Sequence, residues 1–314
     1  SGPNSFTSCT RARFGTSAAA HTAGATVTEV FAELNVNPIT MMLNLLLSNT
    51  GQLMTHATYD KYTRYTADDG STYDGRGAAV ALADIDVTDI EAVKTAHYSS
   101  YAGDVLILDS IDNLKDWIEE NLLRPLGAFF VTQSDGTLTI GTWHTPSATG
   151  AVTLEQGDQA QPEPSVDYSR IINSIVLRCD LNPVTGAYGK ILAYDDVDSG
   201  RDHGPSAPLR IDSPWIRTNG IQSGAAFATT PSTIGDDLKT LLFARFADPQ
   251  PIYTAPAGLR WWSKEIGGAL KYQHEEIPDF VDGERGVMGA LTQIVGRTLD
   301  PKRARVVLKL MRTP

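Results

Sequence analysis

Gly267-Gly268-Ala269-Leu270-Lys271-Tyr272-Gln273-His274, then Ile277-Pro278-Asp279, then Gly286-Val287 through Leu299-Asp300-Pro301-Lys302, and finally Ala304 to Met311 form the stretch that decides the fold. Apolar and polar residues alternate along it, and Gly or Pro punctuates it, which is the pattern of short strands joined by tight turns. The last strand is the sharpest. Val306, Leu308 and Leu310 share one face, while Arg303, Arg305, Val307 and Lys309 share the other, because successive side chains on a strand point to opposite sides. One face packs on a core and the other is basic. With Lys302 and Arg312 the segment carries five positive charges and no acid after Asp300, in a chain whose formal net charge is -11. Two readings of that face stand: an edge kept solvated by charge, or a surface that docks electrostatically onto an acidic neighbour, such as an identical subunit.

Upstream, local signals place the remaining elements. Asn37 caps a helix that has Pro38 at its first position, with Ile39, Met42, Leu43, Leu46 and Leu47 as its apolar stripe and Gly51 as its stop. Residues 55–79, with Tyr59, Tyr62, Tyr65 and Tyr73 among Asp and Gly, read as an exposed loop. A second helix is capped by Ser110 and carries Ile111, Leu114, Trp117, Ile118 and Leu122 at helical spacing, until Arg124-Pro125 and Gly127 end it. Ala128–Thr132 and Thr137–Ile140 then flank Asp135-Gly136, a hairpin signal. The Pro-rich run Gln159–Pro164 marks a boundary. A strand ends at Cys179, residues 182–186 make a turn, 195–208 form an acidic loop, and one helix fits 236–247. The expected class is α+β: an extended arm over 1–26, a small helix-plus-hairpin domain over 27–160, and a mainly β domain over 165–314.

Composition narrows function. At 314 residues the chain buries a sizeable core, and a charge of -11 excludes a chain-wide nucleic-acid footprint. Neither a stretch of about 18 apolar residues nor a basic-then-apolar leader is present, so no stable membrane insertion and no signal peptide are expected. Cys9 and Cys179 do not form a metal motif, and Cys179 shares a face with Ile175 and Leu177, as a buried free thiol does. The histidines at 21, 56, 97, 144, 203 and 274 lack ligand spacing. Asp195, Asp196, Asp198 and Asp202 fail the calcium-loop pattern, since Gly200 and Arg201 fall at its fifth and sixth positions counted from Asp196. No nucleophile elbow or phosphate loop appears. Catalytic residues, cofactor and metal are therefore all expected to be none. Trp261-Trp262, read as neighbours on a strand, put one ring in the core and leave the other for a subunit interface or for a ligand platform.

Four stretches together carry a family resemblance: Trp117-Ile118-Glu119-Glu120-Asn121-Leu122-Leu123-Arg124-Pro125-Leu126-Gly127-Ala128 running into its hairpin; Tyr168 through Arg178; Leu241-Leu242-Phe243-Ala244-Arg245-Phe246-Ala247-Asp248-Pro249; and Gln293 through Pro301 with its closing partner. In order and spacing the chain resembles the baseplate or tail-tip hub proteins of tailed bacteriophages. The resemblance implies a non-enzymatic homotrimeric ring in the virion, assembled in the host cytoplasm. It also implies partners: the tail tube or a distal tail protein, the tape-measure protein and a receptor-binding fibre, with DNA passing through unbound. It turns the terminal strands into those of a tube-like β-barrel, with Arg303, Arg305, Lys309, Arg312, Trp261 and Trp262 as the candidate assembly interface. Residues 1–26 are too short for the first of the two barrels such subunits carry. The alternative is a tail-associated enzyme that degrades the host envelope, or a glycan-binding module; an acid pair around Glu275, Glu276, Asp279 and Asp282 would favour it.

Overall fold

The computed structural model describes residues 31–47, 65–66, 72–73, 78, 80–107, 111–183, 185–221, 223–281 and 283–314. The expected arm over 1–26, Cys9, His21, His56, Gly51, Ser110, Asp282 and most of the 55–79 loop lie outside these residues.

In chain order the elements are β1 (Phe31–Val36), α1 (Pro38–Leu47), β2 (Tyr65–Thr66), β3 (Thr72–Tyr73), α2 (Val87–Val93), β4 (Gly103–Ile107), α3 (Leu114–Ile118), β5 (Ala128–Thr132), β6 (Leu138–Thr142), β7 (Val152–Leu154), β8 (Glu163–Val166), β9 (Ser174–Leu181), β10 (Tyr188–Asp195), α4 (Val197–His203), β11 (Leu209–Asp212), α5 (Pro231–Phe246), β12 (Pro251–Gly258), β13 (Ala269–Pro278), β14 (Arg285–Asp300) and β15 (Arg305–Arg312).

Asn37 does more than cap α1. Its side-chain oxygen accepts from Ile39 N at 2.9 Å, and its amide donates to the carbonyls of Tyr98 and Tyr101 at 2.7 and 2.9 Å. Nearly every residue of α1 is buried, so it is a core helix rather than a striped surface one. The second helix is shorter than the sequence suggests. Asn113 caps it, and α3 loosens into a wider turn over Glu119–Leu123 and a tighter one over Arg124–Leu126. Gly127 stops it at φ 64°, the left-handed conformation expected of a glycine there. The hairpin β5–β6 has the expected register, with Gly136 at φ 94° in its turn.

Two apolar cores form. The first gathers α1, Ile118, Leu122 and Leu126 with Ile175, Leu177 and Cys179 of β9, Ile211, Trp215, and Ile234, Leu238 and Leu242 of α5. Cys179 is a buried free thiol. The second lies within the six-stranded sheet β7-β13-β14-β15-β12-β8. That sheet curls until Tyr253 of β12 and Tyr272 of β13 stack at 4.6 Å across its concave side. It does not close, and the expected tube-like barrel is corrected here: among the described residues β7 and β8 share no ladder. The directions explain why. β7 runs parallel to β13 and β8 antiparallel to β12, so β7 and β8 point the same way. Residues 155–162 are all that link them, short of the roughly dozen residues a parallel connection takes. Gln159 spans the gap instead, bridging to Ala257 and donating to Gln273 O at 3.3 Å.

Two further expectations change. The helix fitted to 236–247 begins earlier, at Pro231, behind a Thr230 cap that accepts from Thr233 N. The acidic 195–208 loop contains α4, where Asp196 is the cap and accepts from Ser199 N at 3.0 Å, while Asp198 and Asp202 pair with Arg201.

The two cores are pinned together by polar groups. Arg245 of α5, 1% exposed, donates to Gln293 Oε1 at 2.6 Å, and Gln293 Nε2 donates to the carbonyls of Thr142 and Gly267 at 2.9 and 3.0 Å. A second tie runs through Glu265, which accepts from Ser134 and from Arg297.

Candidate assembly surface

The turn between β14 and β15 begins at Asp300-Pro301 and leaves through Ala304 at φ 48°. Beyond it β15 alternates as its sequence requires. Val306, Leu308 and Leu310 are fully buried, and Lys309 stays exposed, with its stem lying over Gly296 at a break in the β14 register. The five terminal charges divide into two kinds. Arg305 pairs with Asp300 at 3.3 Å, and Arg312 pairs with the buried carboxylate of Asp279. Among the described residues Lys302, Arg303 and Lys309 have no ion pair, and all three are exposed. Arg303 sits in the turn rather than on the strand.

The tryptophans lie in a tight helical turn over Leu259–Ser263, not on a strand, so the opposite-faces reading gives way. Trp261 is 4% exposed in the second core, with Arg260 over its ring at 5.5 Å. Trp262 is half-buried beneath the Arg297 guanidinium, 4.3 Å away. Arg297 is held there by the carbonyls of Trp262 and Lys264 and by Glu265, at 2.8 to 3.0 Å. Both indoles are thus occupied within the chain.

Groups with chemical potential are scattered. Among the described residues, no three or more His, Cys, Asp and Glu gather where they could hold a metal ion. Glu275 and Glu276 are exposed neighbours on β13, and Asp279 is committed to Arg312. His97 and His144 stack at 4.1 Å and 5°, and burial first, then His97, pull the His144 pKa down to about 4. Burial pushes the Cys179 thiol up to about 11, so it holds its proton at neutral pH and is a poor nucleophile. No helix among the described residues is long and apolar enough to cross a membrane.

Among the open cavities of the described residues, two stand out chemically. One, about 510 Å³, lies beside Asp180, whose carboxylate accepts from the backbone and hydroxyl of Thr218 at 2.6 Å. The other, about 370 Å³, is an apolar groove floored by Trp143, Ile171, Ile172, Leu209, Ile211, Leu242 and Phe246. Trp143 meets Phe246 edge-on at 5.1 Å there. Two cations edge the groove. Arg170 is paired with Asp167 at 3.0 Å, whereas Arg124 is exposed and has no ion pair among the described residues. Sequence reading missed this groove, since its lining comes from five separated segments.

No protein-family model and no curated protein matches the chain. Several solved structures are similar to it, tail proteins among them. They include the prophage tail protein gp18 of Listeria monocytogenes EGD-e, 11% identical at a TM-score of 0.32, covering 63% of this chain and 51% of that one. The 43 kDa tail protein of prophage MuSo2 from Shewanella oneidensis is 13% identical at a TM-score of 0.37, covering 67% and 57%. A chain of the native gene transfer agent virion is 11% identical at a TM-score of 0.41, covering 72% and 46%. The likeness to each is partial, and the chain spans about half the length of these structures.

Proposed function

We propose that this chain is a non-enzymatic structural protein of a phage tail: a hub subunit whose ring, a homotrimer, joins the tail tube to the distal tip. The observation that carries the reading is the basic face of the β14–β15 hairpin, which belongs to the interior of the sheet and not to an edge strand. Lys302, Arg303 and Lys309 project from it with no ion pair among the described residues, in a protein with net charge -11. Such a surface meets an acidic partner readily and repels little but other basic patches. The pinned cores support it as well, because a ring subunit has to present its edges at a fixed mutual angle. In this reading the basic face meets the tail tube or a distal tail protein, with the tape-measure protein and receptor-binding fibres as further neighbours. An acidic lumen then lets DNA slide, since affinity for DNA comes largely from neutralising phosphates.

The face is tested by Lys302→Glu, Arg303→Glu and Lys309→Glu together. The triple variant keeps its unfolding free energy within about 1 kcal/mol, because exposed charges contribute little to stability. Its incorporation into tails, scored by negative-stain imaging and infectivity, falls at least tenfold. Normal incorporation returns that face to ordinary solvated surface. Arg305 and Arg312 are left in place, because their partners are inside the chain.

A further inference from the structure

The apolar groove has a counterpart on the same molecule. Beyond the far end of β13, the described residues between β13 and β14 present Phe280, 44% exposed, and Val281, 59% exposed. Neither belongs to a core. Three exposed carboxylates, Glu275, Glu276 and Glu284, lie on the same β13–β14 hairpin, against one exposed cation, Arg285. The turn is held in shape. Asp279 N donates to Glu284 O and Gly283 N to Asp279 O, both at 2.8 Å, while Val281 N donates to Asp279 Oδ1 at 3.0 Å. Asp279 is in turn fixed by Arg312. The described residues on either side of this apolar pair are therefore tied together by hydrogen bonds, which lowers the ordering cost of binding.

The groove is its complement in shape and in charge. Its volume of about 370 Å³ lies at the small end of ligand pockets, about 300–1,000 Å³, which suits one aromatic side chain and its neighbour rather than a helix. Its floor is apolar, and its rim carries Arg124 and Arg170, of which Arg124 has no ion pair among the described residues. We propose that the groove formed by Trp143, Ile171, Ile172, Leu242 and Phe246 receives the Phe280–Val281 turn of a second copy of this chain. Glu276 or Glu284 of the incoming turn lies near Arg124. The contact is head-to-tail, two different patches meeting, and such contacts generate rings when the rotation closes. The proposal rests on the assembly reading above and names the surface between its subunits.

Mixing complementary defects tests it. The tip variant is Phe280→Ser with Val281→Ser, and the groove variant is Arg124→Glu with Ile171→Glu. Circular dichroism melts confirm that each is folded. Mass photometry of each alone is expected to show self-association weakened at least tenfold relative to wild type. Mixed one to one, the two yield a heterodimer that grows no further, because a single intact tip meets a single intact groove. Should Ile171→Glu unfold the chain, Arg124→Glu alone serves, with recovery expected from Glu284→Arg in the same chain. Wild type and both variants assembling alike, or a folded mixture that forms no heterodimer, overturns the turn-in-groove contact and leaves the tail role standing. A wild-type chain that stays monomeric at every concentration overturns both.

Discussion

Replacing Gln293 with Leu should be among the most damaging single changes in this protein. Gln293 is the hydrogen-bond partner the structure gives the Arg245 guanidinium, and it also serves the carbonyls of Thr142 and Gly267. Leucine keeps the bulk and removes all three bonds. Losing a hydrogen bond to a buried cation costs about 1.5–3 kcal/mol, and each of the two orphaned carbonyls adds about 1–3 kcal/mol, partly relieved by relaxation. The expected loss is about 4–6 kcal/mol, comparable with the whole stability of a typical domain. Arg245→Met should behave differently. Burial already pulls the Arg245 pKa down to about 10, so holding that charge in the fold costs on the order of 3 kcal/mol. Removing it offsets the unpaired Gln293 oxygen, about 1–3 kcal/mol, and the variant should lie within about 1.5 kcal/mol of wild type. In the Arg245→Met background, Gln293→Leu should then cost only about 1–3 kcal/mol. Urea unfolding followed by both far-UV circular dichroism and tryptophan fluorescence measures these differences, two probes being needed because two cores need not unfold together. Gln293→Leu within 1 kcal/mol of wild type, or equally costly in both backgrounds, would refute the reasoning.

Two further outcomes follow from packing and titration. His144 has a folded pKa depressed to about 4 by burial and by His97, with Asp237 opposing, whereas the unfolded ring titrates near 6.5. Its neutral form therefore contributes stability that is full above about pH 6.5 and is lost as pH falls toward 4, about 1–2 kcal/mol once partial exposure is allowed for. His144→Phe should flatten that part of the urea-midpoint profile between pH 7.5 and 5, and an NMR titration of His144 near 6.5 would sink the idea. A methyl group at Gly103 would overlap the Trp215 carbonyl oxygen and its ring carbon Cε3, so Gly103→Ala should cost about 3 kcal/mol. Gly157→Ala, with nothing within 4 Å, should leave the melting temperature nearly unchanged, and equal melting temperatures for the two would refute the clash.

What could be read from sequence was what is local. The cap at Asn37, the Asp135-Gly136 turn and the alternation of β15 each depend on residues a few positions apart, and they appear where the pattern put them. Thr230-Pro231 carried a cap-and-first-turn signal of the same kind for α5 and was passed over in favour of the apolar run that follows. Acidic clustering misled at α4, because Asp196 and Asp198 sit at a helix start, where carboxylates are favoured. The adjacent tryptophans misled because a tight helical turn of five residues has no periodicity to display. Pairing was harder still. Nothing in Val152–Leu154 or Glu163–Val166 says that these strands flank β13 and β12, a hundred residues away, and that pairing decides between an open sheet and a barrel. As for the surface, the charges were legible but not their partners. That Arg305 and Arg312 are neutralised by Asp300 and Asp279 while Lys302, Arg303 and Lys309 are not is a matter of three-dimensional placement.

The strand order β7-β13-β14-β15-β12-β8 also bears on how the chain is made. Both rims of the sheet leave the ribosome about a hundred residues before its middle. They must wait until 251–312 emerge, so the rims join by long-range closure onto the locally connected β13–β14–β15 meander. High contact order of this kind slows folding and lengthens the time in which unpaired strands can meet other chains. β15, made last of these six strands, ends up an inner strand flanked on both sides. A nonsense mutation ahead of Arg305 would therefore remove an inner plank rather than trim a rim, leaving β12 and β14 with no shared neighbour and the nascent chain open to aggregation.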